Sequence, residues 1–421
     1  MTHNDASPGI ERRNPFEALR TYRDFRLLWL STLFVGTAQF MQQVAMGWLA
    51  LELTDSPLYV GVVAFSSGLA FLIVAVPAGS FIDQMDRRRI YRMAQGASAI
   101  VALVLAALVL SDQIQSWHLP VGSFITGALT AILFPTQQSI APTLVARHEI
   151  GNAVGLMSAG QSLSRVVGPT IAGTIIGFAS TGASFLVQAI MVCTAFGMAS
   201  MLHIPPRAVA TGGPQGMARV KSGLSLVWNR IDLRMLFALG FIIPILVLPF
   251  VQFLNIFARD ILEIGPRGLG YMMAISGIGS VCGALFVAQR QIGPHTTSSQ
   301  PWLVAIVAAC VIGIAISRSV PVTFALLFGE GLFASIMLST NMAIIQLRIE
   351  DNVRGRVLGA YSLGFGMLPV AALPVGVLAD VTSTSIAVGA SASLALGCAL
   401  LLALRAQPVP AAASASGRVA G

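Results

Sequence analysis

The sequence predicts an all-α membrane protein of twelve transmembrane helices, arranged as two pseudo-symmetric six-helix bundles with both chain ends in the cytoplasm. Three observations carry this prediction. Hydrophobic residues make up 55% of the chain and charged residues only 10%, whereas a soluble domain carries about 25% charge. Apolar runs recur at the roughly 20-residue length that crosses a bilayer. The basic residues gather in alternate gaps between those runs. The net charge of +8 is therefore read as membrane topology, and no nucleic-acid partner is expected.

The chain opens with a polar segment, 1–26, holding Arg12, Arg13, Arg20, Arg23 and Arg26. Its polarity argues against a cleavable signal peptide. From Asn14 to Arg26, Phe16, Leu19, Tyr22 and Phe25 recur near helical spacing, which fits a surface helix or a solvated lead-in. Apolar runs then predict spans at 27–51, 57–82, 91–110, 119–143, 151–178 and 182–202. A linker at 203–234 contains Pro205, Pro206, Gly212, Gly213 and Pro214, which break helices, followed by a basic amphipathic piece from Arg219 to Trp228. The second set of spans falls at 235–258, 268–289, 301–317, 321–345, 355–379 and 384–405, with a polar tail at 406–421. The domains expected are thus the bundles 27–202 and 235–405, joined by the linker.

Direction follows from charge. Of the 25 lysines and arginines, all but Arg165, Arg259, Arg267 and Arg318 fall on one side of this topology. That side is cytoplasmic by the positive-inside rule. The two halves echo each other at a shift of about 204 residues: Gly79 falls on Gly283, and NAVGLM after Glu149 faces GRVLGAY near Arg356. Repeated halves that each cross six times are the pattern of a secondary transporter rocking about a central site.

Several polar groups stand out against this apolar background. Between the second and third runs lies GSFIDQMDRRR, from Gly79 to Arg89. Topology explains the arginines but not Asp83, an acid at a helix C-terminus, where the dipole disfavours it. A conformational latch of ion pairs made in one state explains both. It would combine Gly79, Asp83, Asp86, Arg87 and Arg88 with Asp351, Arg354 and Arg356 across the inner mouth. Arg165 lies inside the fifth run, where a charge faces a cavity or a partner. It admits a structural reading or a part in switching or in a substrate or proton path. Glu330 is an acid deep in the tenth run, flanked by Gly329 and Gly331. It is a candidate to carry a proton, to bind a cation or to pair with an arginine. Gln39, Gln42 and Gln43 mark the first run, Gln137 and Gln138 the fourth, Gln252 and Asn255 the seventh, and Asn341 the tenth. Hydrogen bonding between helices competes with cavity lining for each of them. Cys193, Cys282, Cys310 and Cys398 are scattered without metal-ligand spacing, so no metal or cofactor is expected. No nucleophile constellation suggests an enzyme.

These residues carry a resemblance. GSFIDQMDRRR resembles the signature loop of the major facilitator superfamily, G-x-x-x-D-[RK]-x-G-[RK]-[RK]. Gly79, Asp83, Arg87 and Arg88 match, whereas Gln84 and Asp86 depart from it. SRVVGPTIAG resembles the helix-five antiporter motif through Gly168, Pro169 and Gly173, with Ala172 in place of a glycine. FRLLWLS, LTDSPLYVG and DNVRGRVLG look like the bacterial enterobactin-exporter-like branch, which includes macrolide and drug efflux proteins. The resemblance implies export by alternating access with proton antiport, in the bacterial cytoplasmic membrane, by a monomer. It also implies a cavity lined by helices one, four, seven and ten, which places Gln39, Gln43, Gln138, Gln252, Asn255, Glu330 and Asn341 as candidates. The expected cargo is an amphipathic drug-like molecule or a siderophore. A lipid or lysophospholipid transporter, or a sensor without flux, is the alternative.

Overall fold

The computed structural model describes residues 17–84, 86–204, 217–289, 295–349 and 351–405, and among them every regular element is helical. Of the expected N-terminal segment 1–26 and linker 203–234, residues 1–16 and 205–216 lie outside the described residues, as does the tail 406–421. A single turn, α1 (Glu17–Thr21), precedes α2 (Arg23–Thr54). The latter stops where Asp55 turns left-handed and its N–H closes on the Leu51 carbonyl. Next come α3 (Pro57–Gln84), with proline at its first position, and α4 (Arg87–Leu110). Asp86 caps α4 by accepting from the Arg88 N–H. The first half ends with α5 (His118–Ile140), α6 (Ile150–Phe178) and α7 (Thr181–Ser200).

A short helix, α8 (Met217–Asn229), occupies the place of the expected amphipathic piece. The seventh run departs from expectation. Instead of one helix it forms α9 (Ile231–Ile242), a π-turn (Ile243–Val247), a 3₁₀ stretch (Leu248–Phe253), α10 (Leu254–Ile256) and a second π-turn (Phe257–Ile261). Pro244 and Pro249 remove two backbone donors, and the ladder shifts around them. Then follow α11 (Gly265–Ala288), α12 (His295–Ile316) and α13 (Val320–Arg348). The eleventh run is also split, into α14 (Asp351–Val370) and α15 (Ala372–Val381), just after Pro369. The chain closes on α16 (Thr384–Arg405).

Nine helical stretches among the described residues are long and apolar enough to cross a membrane. The three other expected spans fall on α2 and α6, which are interrupted by more polar side chains, and on the α14–α15 pair, whose apolar part, Gly366–Val381, is shorter. Large apolar side chains such as Ile100, Leu103, Phe124, Ile190, Leu285 and Leu401 are exposed, a surface suited to lipid rather than water.

Packing repeats between the halves. α2 packs on α6, α3 on α5 and α4 on α7; in the second half α11 packs on α13 and α12 on α16. The halves meet along two seams, α6 with α11 and α3 with α14 and α15. Cross-contacts sort the loops into two ends. At the hairpin end, Arg259 reaches Asp55, Ser56 reaches Asp380, Arg267 reaches Gly177 and Arg318 reaches Ser385. At the terminal end, Asp24 meets His203, Arg87 meets Ser139 and Arg230 meets Arg348.

Candidate functional site

Between the halves lies a cavity of about 580 Å³, the size of a drug-binding pocket. α2 contributes Gln39, Phe40, Gln42 and Gln43, and α6 contributes Arg165. The broken seventh run adds Gln252, α11 adds Ser276 and Ser280, and α13 adds Glu330. Apolar Met46, Val63, Leu248 and Leu338 fill the walls between them. Among the described residues the lining thus holds one acid and one base, on opposite halves.

The polar groups are held in different ways. Glu330 is buried, and one carboxylate oxygen accepts from the Ser276 hydroxyl at 2.8 Å. Arg165 is accessible within the cavity, and its guanidinium lies 5.8 Å from the Phe40 ring centroid. Gln43 donates to the Gln252 side-chain oxygen at 3.1 Å, a hydrogen bond between the halves. Gln42 donates to Thr126 at 3.2 Å.

Not every expected lining residue is here. Gln138 is exposed on α5 near the terminal end, and its neighbour Gln137 is the buried one. Asn255 is buried; its oxygen accepts from the Ile256 N–H, and its amide nitrogen lies against Gly47. Asn341 is fully buried, donating to the Leu236 carbonyl and accepting from the Tyr361 hydroxyl at 3.0 Å. It ties α13 to α9 and α14 rather than facing the cavity. Conversely, the serines of α11 escaped the sequence reading. Their signal was the four-residue spacing of Ser276 and Ser280, which sets both on one helical face.

The cavity is closed at one end. At the hairpin end α6 and α11 touch backbone to backbone: a Cβ on Gly173 would overlap the Pro266 carbonyl and Gly270. The second seam has a matching crossing, Gly61 against Gly376. Arg259 clasps Asp55 and Asp260 over this end, and Arg267 lies 3.2 Å from the Phe178 ring centroid. Towards the terminal end, α6 turns open. A methyl group added at Gly151 or Gly155 would meet nothing within 4 Å, and Ser158 is exposed. The antiporter-like residues Gly168, Pro169 and Gly173 therefore sit on the sealed half of α6, and Arg165 marks the start of its open half. Because Asp55 is 82% exposed, the clasp contributes little: Arg259→Ala should lower thermal stability by less than about 1 kcal/mol. A larger loss in a detergent melting series would give the clasp a structural weight this exposure does not predict.

The residues expected to form a latch are described only in part. Asp86 is the N-cap of α4, and Arg87 donates to the Ser139 carbonyl at 3.2 Å, satisfying the C-terminal end of α5. Arg88 has a buried Nε without a hydrogen-bond partner among the described residues. Gly79 lies on α3, and the side chains of Asp83, Asp351, Arg354 and Arg356 lie outside those described.

The comparisons agree with this architecture. A family model described as "transmembrane secretion effector", of the major facilitator type, matches residues 14–419. The staphyloferrin A transporter of Staphylococcus aureus is 24% identical, over 83% of this chain and 87% of its own. The multidrug efflux pump Tap of Mycobacterium tuberculosis is 28% identical, over 84% of this chain and 86% of its own. A bacterial homologue of the lysosomal transporter Spinster, solved in an inward-facing and occupied conformation, superposes with a TM-score of 0.70 at 11% identity, covering 91% of this chain and 95% of its own. With a helical fold, a cavity between repeated halves and a family match over nearly its whole length, the chain belongs to the transmembrane secretion effector family of major facilitator transporters and is a multi-pass membrane transporter, not an enzyme.

Proposed function

We propose that the protein is a proton-coupled exporter of amphipathic small molecules, drug-like or siderophore-like, working by alternating access as a monomer in a bacterial cytoplasmic membrane. The observation that carries this reading is the cavity, sealed at the hairpin end, with Glu330 buried in one wall and Arg165 exposed in the other. The basic residues clustered at the terminal end support its placement in the cytoplasm. The structure then corresponds to a state loaded from the cytoplasm, and the next step opens the hairpin end. A mixed wall of glutamines, serines and apolar side chains suits an amphipath. The relatives named above, an S. aureus siderophore transporter and a mycobacterial drug efflux pump, support export of this kind.

The test is flux. Inverted membrane vesicles with an imposed inside-acid gradient should accumulate at least one member of a panel of ethidium, erythromycin and a metal-free carboxylate chelator. Accumulation should collapse when nigericin abolishes the pH gradient. No gradient-dependent accumulation of any member would sink the proposal.

A further inference from the structure

We infer that the exported ligand is an amphipathic zwitterion, with its carboxylate docked on Arg165 and its protonated amine on Glu330. This rests on the transport reading above and adds the chemical class of the cargo.

The argument starts from what Arg165 lacks. Three described arginines that reach across between elements have acceptors: Arg87 has the Ser139 carbonyl, Arg259 has Asp55 and Asp260, and Arg267 has the Gly177 carbonyl. Arg165 has a ring beside it but neither a hydrogen bond nor an ion pair to a described residue. A guanidinium stays charged and presents five donors in a planar fork. Holding it deep in the span of α6 is costly, and the structure leaves its donors open to the cavity. A planar carboxylate is the group that fills such a fork, with two parallel hydrogen bonds.

Glu330 does not fill it. The two charges feel one another across the cavity but do not form an ion pair, and the carboxylate is held on its own wall by Ser276. Glu330 accepts only that one hydrogen bond among those described, so further lone pairs stay available to a cationic donor. Opposite charges kept apart on facing walls match a molecule whose own charges are separated. The apolar side chains between them, Phe40, Met46 and Leu338 among them, suit the body joining those charges.

This assignment also makes exchange consistent. An ammonium group binds Glu330 only when the carboxyl has given up its proton, so ligand and proton compete for one site. An anionic ligand without the amine would not compete, because neutralising Arg165 favours protonated Glu330. The zwitterion is therefore the charge pattern for which the two walls support antiport.

Ciprofloxacin, with a carboxylate at one end and a piperazinium at the other, is a suitable fluorescent probe. Its methyl ester lacks the anion and its N-acetyl derivative lacks the cation. Fluorescence polarisation on the full chain in nanodiscs should show the zwitterion binding about tenfold or more tightly than either derivative. Arg165→Gln should erase its advantage over the ester, by weakening the zwitterion far more than the ester. Glu330→Gln should erase its advantage over the acetyl form. Lack of saturable binding by the zwitterion, equal binding of ester and zwitterion, or an equal loss for both in Arg165→Gln would overturn the inference. Gradient-driven ethidium accumulation by the same chain in sealed inverted vesicles separates the two readings. If it persists while the charge preference is missing, the exporter stands and the zwitterion falls.

Discussion

Glu330→Gln should abolish coupling to the pH gradient while leaving the protein folded. Glutamine keeps the shape of the side chain and an oxygen for the Ser276 hydroxyl, now at 2.8 Å, but it has no proton to exchange. Glu330 is the one acid among the described residues of the cavity lining, so no described neighbour there can take over its role. Gradient-driven accumulation in inverted vesicles should fall at least about 100-fold, equivalent to about 2.7 kcal/mol of lost driving coupling. Counterflow of a neutral cargo under equal pH should continue, because it needs only the cavity and the rocking motion. The pH dependence of wild-type transport should vanish in the variant. Full gradient-driven accumulation by Glu330→Gln would reject this residue as the proton carrier.

The second large effect concerns assembly of the same wall. Gly331, next to Glu330, lies where α13 crosses α11, and a Cβ there would run into the Ser276 carbonyl oxygen. Gly279 and Gly283 meet α13 just as closely, at the Phe328 and Leu332 carbonyls. Backbone cannot yield as a flexible side chain does. Gly331→Val should therefore cost more than about 3 kcal/mol, the upper range for overpacking. It should lower both the yield of folded protein and its melting temperature in detergent. The control is Gly155→Val, on the open half of α6 with nothing within 4 Å, which should melt like the native chain. Equal melting of the two variants would mean that the α11–α13 crossing relaxes easily.

Much of the architecture could be read from the sequence because the bilayer imposes it. A run of about 20 apolar residues is a strong signal, and the basic gaps orient it. The breaks around Pro244, Pro249 and Pro369 were less readable, because proline is tolerated in many membrane helices, as Pro135 and Pro169 show inside α5 and α6. The site was read through the large polar side chains. Gln39, Gln43, Gln252 and Glu330 are conspicuous in apolar runs, and they line the cavity. Asn341 is as conspicuous, yet its hydrogen bonds go to Leu236 and Tyr361. Sequence spacing gives a residue's face on its own helix but not which neighbour that face meets. The clasp shows the same limit: Arg259 and Asp55 are 204 positions apart, and no local pattern pairs them.

The two glycine crossings at the hairpin end, Gly61 with Gly376 and Gly173 with Gly270, bear on how reversible that closure is. Burying a long side chain freezes rotamers at a cost of up to about 2 kcal/mol, whereas glycine has none to freeze. Where bare backbone meets bare backbone, separation releases little side-chain entropy and closure consumes little. The contact gains dispersion energy without that opposing term, so the same two surfaces can part and meet again in each cycle with no side chain to re-sort.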